Sequence, residues 1–356
     1  MNPNLVKLQP YPFEKLRALF DKASVPSGYS RIELHIGEPK HPTPEFIKTA
    51  VMESLLGLAQ YPATAGMPLL RETIAKWLQR RYHLPMVDAA TQVLPINGSR
   101  EALFAIAQLV LDPAGSTHSP VVISPNPFYQ IYEGAALLAG AEPYFVNALA
   151  ENDFATDYTS VPENIWQRVQ LVFTCSPANP SGRVMTLDDW RLLFELSDRH
   201  GFVIASDECY SELYFDEGKP PLGGLEAAHR LGRSEFPRLL VFSSLSKRSN
   251  VPGMRSGFVA GDANIIKAFL LYRTYHGSAM SNTVQLASIA AWNDESHVLE
   301  NRRVYSAKFD AVAPLIQEPL HTTMPEAGFY FWVRTPVDDT VFARDFLQGY
   351  NVTVLP

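Results

Sequence analysis

Residues 239–257 read LLVFSSLSKRSNVPGMRSG. The apolar run 239–242 predicts a buried strand, and it stops at two serines, Ser243 and Ser244. Lys247 follows, then a loop carrying Pro252 and Gly253, then Arg255. Burial disfavours the charged form of a lysine, lowers its pKa and frees an amine able to form a Schiff base. Ser244 offers a hydroxyl and Arg255 a fixed positive fork, and both suit a phosphate. A Schiff-base lysine beside a phosphate site suggests pyridoxal phosphate (PLP). A lone lysine after a strand is far more often a solvated surface residue, so other stretches have to decide.

Six further apolar runs, at 93–96, 121–124, 144–146, 171–174, 202–206 and 258–260, predict strands, with helical spacing between most of them. This alternation argues for a mostly parallel sheet of seven strands with helices on both faces. Ligands of such sheets bind at the carboxyl ends of the strands. Asn97, Tyr129, Asn179, Asp207 and Lys247 all fall just past predicted strand ends. One such placement is readily explained by turns, caps or packing; five at one edge are not.

Each end has its own chemistry. Gly98, Ser99 and Arg100 open a helix, where free N–H groups and the dipole favour an anion, although Gly-Ser is also a plain cap. Tyr129, with Phe128 second, can lie flat on a planar ring or simply pack in the core. Asn179, in NPSG, places an amide donor in a turn. Asp207 suits an ion pair with a protonated pyridine nitrogen; salt-bridge or cap duty is the ordinary alternative. Tyr210 can donate to a phenolic oxygen of the same ring. Upstream, a short strand over 32–36 meets Gly37, whose N–H can face a substrate carboxylate or merely turn the chain. Tyr61 lies in the loop before an amphipathic helix over 68–82 and can reach a phosphate or pack in a core. An amphipathic segment is expected over 13–22, a helix over 187–200 capped by Thr186, and helices over 265–275, 283–292, 298–315 and 341–347. The alternation in residues 325–336, PEAGFYFWVRTP, predicts a strand.

The 356 residues are 46% hydrophobic and carry a net charge of −7. That balance makes no case for nucleic acid or an anionic membrane. Cys175 and Cys209 are the two cysteines; they give no disulfide framework, and a reducing cytoplasm is expected. The first residues lack the apolar core of a signal peptide, and no run is long enough for a transmembrane helix.

The motifs YPATAGMPLLR, NGSREAL, PFYQIY, NPSG, SDECY and SLSKRSNVPGMRSGF, in this order over nearly the whole chain, resemble the class I/II PLP-dependent aminotransferases of fold type I. SLSKRSNVPGMRSGFVAGD and YRTYHGSAMS are similar to the N-succinyl-diaminopimelate aminotransferases of the bacterial lysine pathway. The resemblance implies a covalent link between Lys247 and PLP, proton transfer by the freed Lys247, and Asp207 at the pyridine nitrogen. It implies Asn179 and Tyr210 at the phenolic oxygen and Tyr129 stacked on the ring. Gly98, Ser99, Arg100, Ser244 and Arg255 would surround the phosphate, with Tyr61 arriving from the partner of a homodimer. Gly37 and Asn179 would meet the substrate, and 2-oxoglutarate would be the amino acceptor. Arg273, Tyr275 and Ser278 are weaker candidates for its distal group.

The resemblance also implies a large cofactor domain over 46–275 and a smaller α+β domain built from 1–45 and 276–356. Gln130 departs from the proline of many relatives. Relatives continue past the position of Pro356 with a Pro-Gly turn and an arginine for the substrate α-carboxylate, so a further C-terminal segment is expected. The alternatives are another aminotransferase of the family, acting on acetylornithine, aspartate or an aromatic amino acid, or a PLP-dependent lyase on the same scaffold. A PLP-binding regulator would need a DNA-binding helix-turn-helix and a basic patch, and the sequence shows neither.

Overall fold

The structure, a computed structural model, describes residues 1–21, 23–115 and 118–356. Among the described residues nine strands are numbered in chain order: β1 (Ile32–Glu33), β2 (Val93–Ile96), β3 (Val121–Asn126), β4 (Glu142–Asn147), β5 (Val169–Cys175), β6 (Val203–Asp207), β7 (Leu239–Ser244), β8 (Gly257–Gly261) and β9 (Val352–Thr353). Seven form one sheet in the order β2-β8-β7-β6-β5-β3-β4. Only β8 runs against its neighbours, so the sheet is parallel apart from one strand.

Alternation along the strands splits the core in two. Val121, Ile123 and Val172 point to one face, where Trp77, Trp190 and Trp292 pack. Val122, Leu171 and Phe173 point to the other, against Leu103, Ile106 and Phe269. Both faces are therefore dry and helix-covered, as apolar runs without polar alternation demand. Local signals agree with the elements they predict: Thr186 and Asp189 form a capping box at the start of Leu187–His200, and Gly201 ends that helix at φ +81°.

Two predicted strands do not form as expected. The run over 32–36 shrinks to Ile32–Glu33, paired in parallel with Val352–Thr353. Residues 325–336 make no strand; a single bridge joins Ala327 to Tyr214. Gly328 there turns at φ +91°. Its N–H donates to the Leu213 carbonyl at 2.7 Å, and the Ala327 N–H donates to the Gly182 carbonyl at 3.2 Å. The loop's backbone thus bonds to other loops, and its aromatic side chains are spent on the site described below. The first α-helix, Pro12–Phe20, ends short of the expected segment, whose last residue, Lys22, lies outside the described residues. Among the described residues no helix is long and apolar enough to cross a membrane.

Candidate active site

β7 ends at Ser244, which caps the short helix Leu245–Arg248 carrying Lys247. The Lys247 ammonium donates to the Gly37 carbonyl and lies 5.1 Å from the centre of the Phe329 ring. Burial lowers its pKa, opposed by the negative groups nearby. The neighbouring Arg248 holds this helix in place. Its guanidinium donates to the Ala291 carbonyl at 2.8 Å and to Glu295 Oε1 at 2.8 Å, between Trp77 and Trp292.

Asp207, the last residue of β6, is 6% exposed. Its Oδ2 accepts from the Tyr132 hydroxyl at 2.9 Å, and its Oδ1 from the Cys209 N–H at 3.2 Å. Burial raises its pKa, while those donors and the Lys247 charge pull the other way. Tyr132 stacks on Phe173, centroids 4.6 Å apart, and meets Tyr129 edge-on. Asn179 Nδ2 lies 3.4 Å from the Tyr210 hydroxyl. That hydroxyl is 3.1 Å from the hydroxyl of Tyr330.

The candidate anion cradle lies at the same edge. The reversal of β8 brings its amino end, not its carboxyl end, beside Ile96 and Ser244, both opposite Gly257. Arg255 therefore reaches the start of helix Ser99–Val110. Gly98 caps that helix at φ +79°, and a Cβ there would stand 2.3 Å from Arg255 Nη2. Only glycine lets the guanidinium lie across the helix end. Arg255 donates to the Pro252 carbonyl at 3.0 Å, and among the described residues no carboxylate pairs with it. The Ser244 hydroxyl sits 2.8 Å from that of Ser246, and the Ser99 hydroxyl accepts from the Cys209 thiol at 3.0 Å.

Other predicted residues lie differently. Arg100 turns from the cradle: its Nε donates to the Tyr129 hydroxyl at 2.5 Å. Gly37 presents its carbonyl to Lys247. Tyr61 is fully exposed and meets none of these groups within the chain. Arg273 is wholly buried, bound to both oxygens of Glu101 at 2.7 and 2.8 Å and to the Ser278 carbonyl; it cannot read a substrate. Tyr132, Tyr330 and Phe329 were not singled out in the sequence. Tyr132 had a signal, since it follows Tyr129 by one helical turn; the other two had none.

Residues 30–356 match the family model described as aminotransferase class I and II. The chain belongs to this family. The aminotransferase is 31% identical to an LL-diaminopimelate aminotransferase of Dehalococcoides mccartyi, over 100% of this chain and 90% of that one. A crystal structure of an aminotransferase from Neisseria meningitidis superposes with a TM-score of 0.96 at 55% identity, covering 100% of this chain and 90% of the other. One of an aminotransferase from Helicobacter pylori gives 0.89 at 35% identity, with 98% and 89% covered. The enzyme thus has the PLP-dependent fold, and family members use PLP. The residues present fit that group: a guanidinium with no carboxylate partner among the described residues, over a side-chain-free helix end, suits its phosphate, an amine of lowered pKa its aldehyde, and a buried carboxylate in no ion pair among the described residues its pyridinium.

Proposed function

We propose that this aminotransferase exchanges the amino group of a diaminopimelate-type donor with 2-oxoglutarate, with N-succinyl-LL-2,6-diaminopimelate as the first donor to test. The motifs around Lys247 and Tyr275 support the succinylated donor. The names of relatives such as that of D. mccartyi favour unmodified LL-diaminopimelate as the second reading. The observation that carries the site reading is Lys247, an amine of lowered pKa at the sheet edge shared with Asp207 and Arg255.

Bound PLP supplies an electron sink for proton loss at the α-carbon of the donor. The chain's part is binding, orientation and proton transfer. Gly98, Ser99, Ser244 and Arg255 hold the phosphate, joined by Ser246. Asp207 keeps a proton on the pyridine nitrogen by a charge-assisted hydrogen bond. Tyr129 covers the ring, and Asn179 and Tyr210 address its phenolic oxygen. Lys247 Nζ, neutral once displaced, would take the proton from the donor's α-carbon and deliver it to the carbon of the cofactor's aldehyde group. Gly37 and Asn179 border the substrate. Arg100, bonded to the Tyr129 hydroxyl, acts at one remove from the ring rather than on the phosphate.

We also take residues 46–275 as the cofactor domain, which contains all seven strands of the main sheet, and 1–45 with 276–356 as its companion. Tyr61 then serves a second copy. Support comes from the apolar surface around it, with Leu56 91% and Leu58 70% exposed.

The test is spectrophotometric. Purified protein loaded with PLP is mixed with each donor, and conversion to the pyridoxamine form is followed. Conversion by either diaminopimelate and reversal by 2-oxoglutarate support the reading. Pyruvate and ammonia released from L-serine, with no conversion by either diaminopimelate, would identify a lyase instead.

A further inference from the structure

Tyr330 comes from the loop over 325–330 that the sequence reads as a strand. Its hydroxyl is 3.1 Å from that of Tyr210, whose other neighbour is Asn179 Nδ2 at 3.4 Å. A phenol has one proton and two lone pairs, and an amide nitrogen only donates. If Tyr330 also donates, both lone pairs of Tyr210 are used and its own proton is left for a third acceptor. If Tyr210 donates to Tyr330, that proton is consumed. Burial pushes the Tyr330 pKa up to about 12, so its hydroxyl keeps a proton to give.

The same hydroxyl also reaches the strand-end loop beside Lys247. A Cβ on residue 37 would lie 2.0 Å from Tyr330 Oη. Gly37, whose carbonyl takes the Lys247 ammonium, is thus side-chain-free where Tyr330 passes over it. Phe329, the preceding residue, faces that ammonium.

We propose that Tyr330 is a positioning residue: it donates to Tyr210, turns the Tyr210 proton toward the phenolic oxygen of PLP, and is admitted by the missing side chain of Gly37. This rests on the role given to Tyr210 above. Loss of a donor at the phenolic oxygen makes that oxygen a better acceptor for the proton on the Lys247 nitrogen. The visible band of the PLP-loaded protein then titrates at higher pH.

The experiment is a pH titration of that band, without substrate, in the parent, Tyr210→Phe, Tyr330→Phe, Gly37→Ala and the Gly37→Ala/Tyr330→Phe pair. Tyr330→Phe should raise the midpoint by roughly half to one unit, in line with the loss of one hydrogen bond. Gly37→Ala should do the same by displacing the hydroxyl, and the pair should shift no further than either alone. A shift in Tyr210→Phe with none in Tyr330→Phe overturns this inference and leaves the Tyr210 role standing. No shift in Tyr210→Phe, in protein that binds PLP, overturns the role itself. Additive shifts in the pair also overturn the coupling.

Discussion

The Tyr132 hydroxyl donates to Asp207 Oδ2 at 2.9 Å in a core where Tyr132 is 1% and Asp207 6% exposed. A buried carboxylate without donors would take up a proton to escape its charge. This phenol offers a donor instead, fixed by its stack on Phe173, and so aims one carboxylate oxygen.

Tyr132→Phe keeps the stack and removes the donor. A hydrogen bond to a charged group contributes about 1.5–3 kcal/mol. Affinity for PLP, titrated into the apoprotein by fluorescence, should fall roughly 10–100-fold by the same energies. An affinity equal to the parent's would show that Asp207 needs no help from Tyr132.

Lys247→Ala is expected to abolish both transamination and the visible absorbance of the PLP-loaded protein. Its amine is the group placed to bond the aldehyde, and alanine has none. Retention of activity and absorbance together would sink the site assignment.

Gly98→Ala should strike the phosphate cradle without touching the amine. The new methyl meets Arg255 at 2.3 Å, on a backbone at φ +79°. At φ +79° and ψ 156° the backbone lies in a region that is essentially glycine's alone and costs another residue about 1–3 kcal/mol, and the arginine must move. PLP should bind several-fold more weakly, and competition by inorganic phosphate should weaken with it. Unchanged competition would remove Arg255 from the anion site.

Glu208 gives a pH dependence that lies outside the chemistry. It is 2% exposed and accepts from the Gly224 N–H at 2.7 Å, the Ser206 hydroxyl at 3.0 Å and the Tyr82 hydroxyl at 3.2 Å. Burial nevertheless pushes its pKa up to about 7. A raised carboxyl pKa means that the folded chain holds the proton more tightly than the unfolded one. Its stabilising contribution is complete below the ordinary glutamate pKa of about 4.3. It is lost as pH rises through about 7, in all on the order of 3–4 kcal/mol. Glu208→Gln should flatten urea-unfolding stability between roughly pH 5 and 7. An identical slope in the variant would mean that Glu208 is already ionised in the fold.

Much of the fold is legible in the sequence because buried strands announce themselves as apolar runs. Five of the seven lead to Asn97, Tyr129, Asn179, Asp207 or Lys247, and it is their shared sheet edge, not any one of them, that marks the candidate site. Tyr132 was passed over because its partner is distant in the chain, although one helical turn from Tyr129 pointed to the same ring face. Tyr330 was hidden by alternation that fits a strand equally well; only the bonds from Ala327 and Gly328 to Gly182 and Leu213 decide against it. Arg273, a weaker candidate for the substrate's distal group, lies the other way: the carboxylate it serves, Glu101, is far upstream in another helix.

The backward run of β8 has a mechanical consequence. Lys247 leaves the edge of the sheet on the outgoing path, and Arg255 meets the same edge on the return, with Ser244 opposite Gly257 as the hinge pin. On the roles proposed for Lys247 and Arg255, the intervening residues would act as a caliper whose two jaws grip one small molecule at its opposite functional groups. Lengthening that caliper by a single residue would leave each jaw chemically intact and spoil the gap between them.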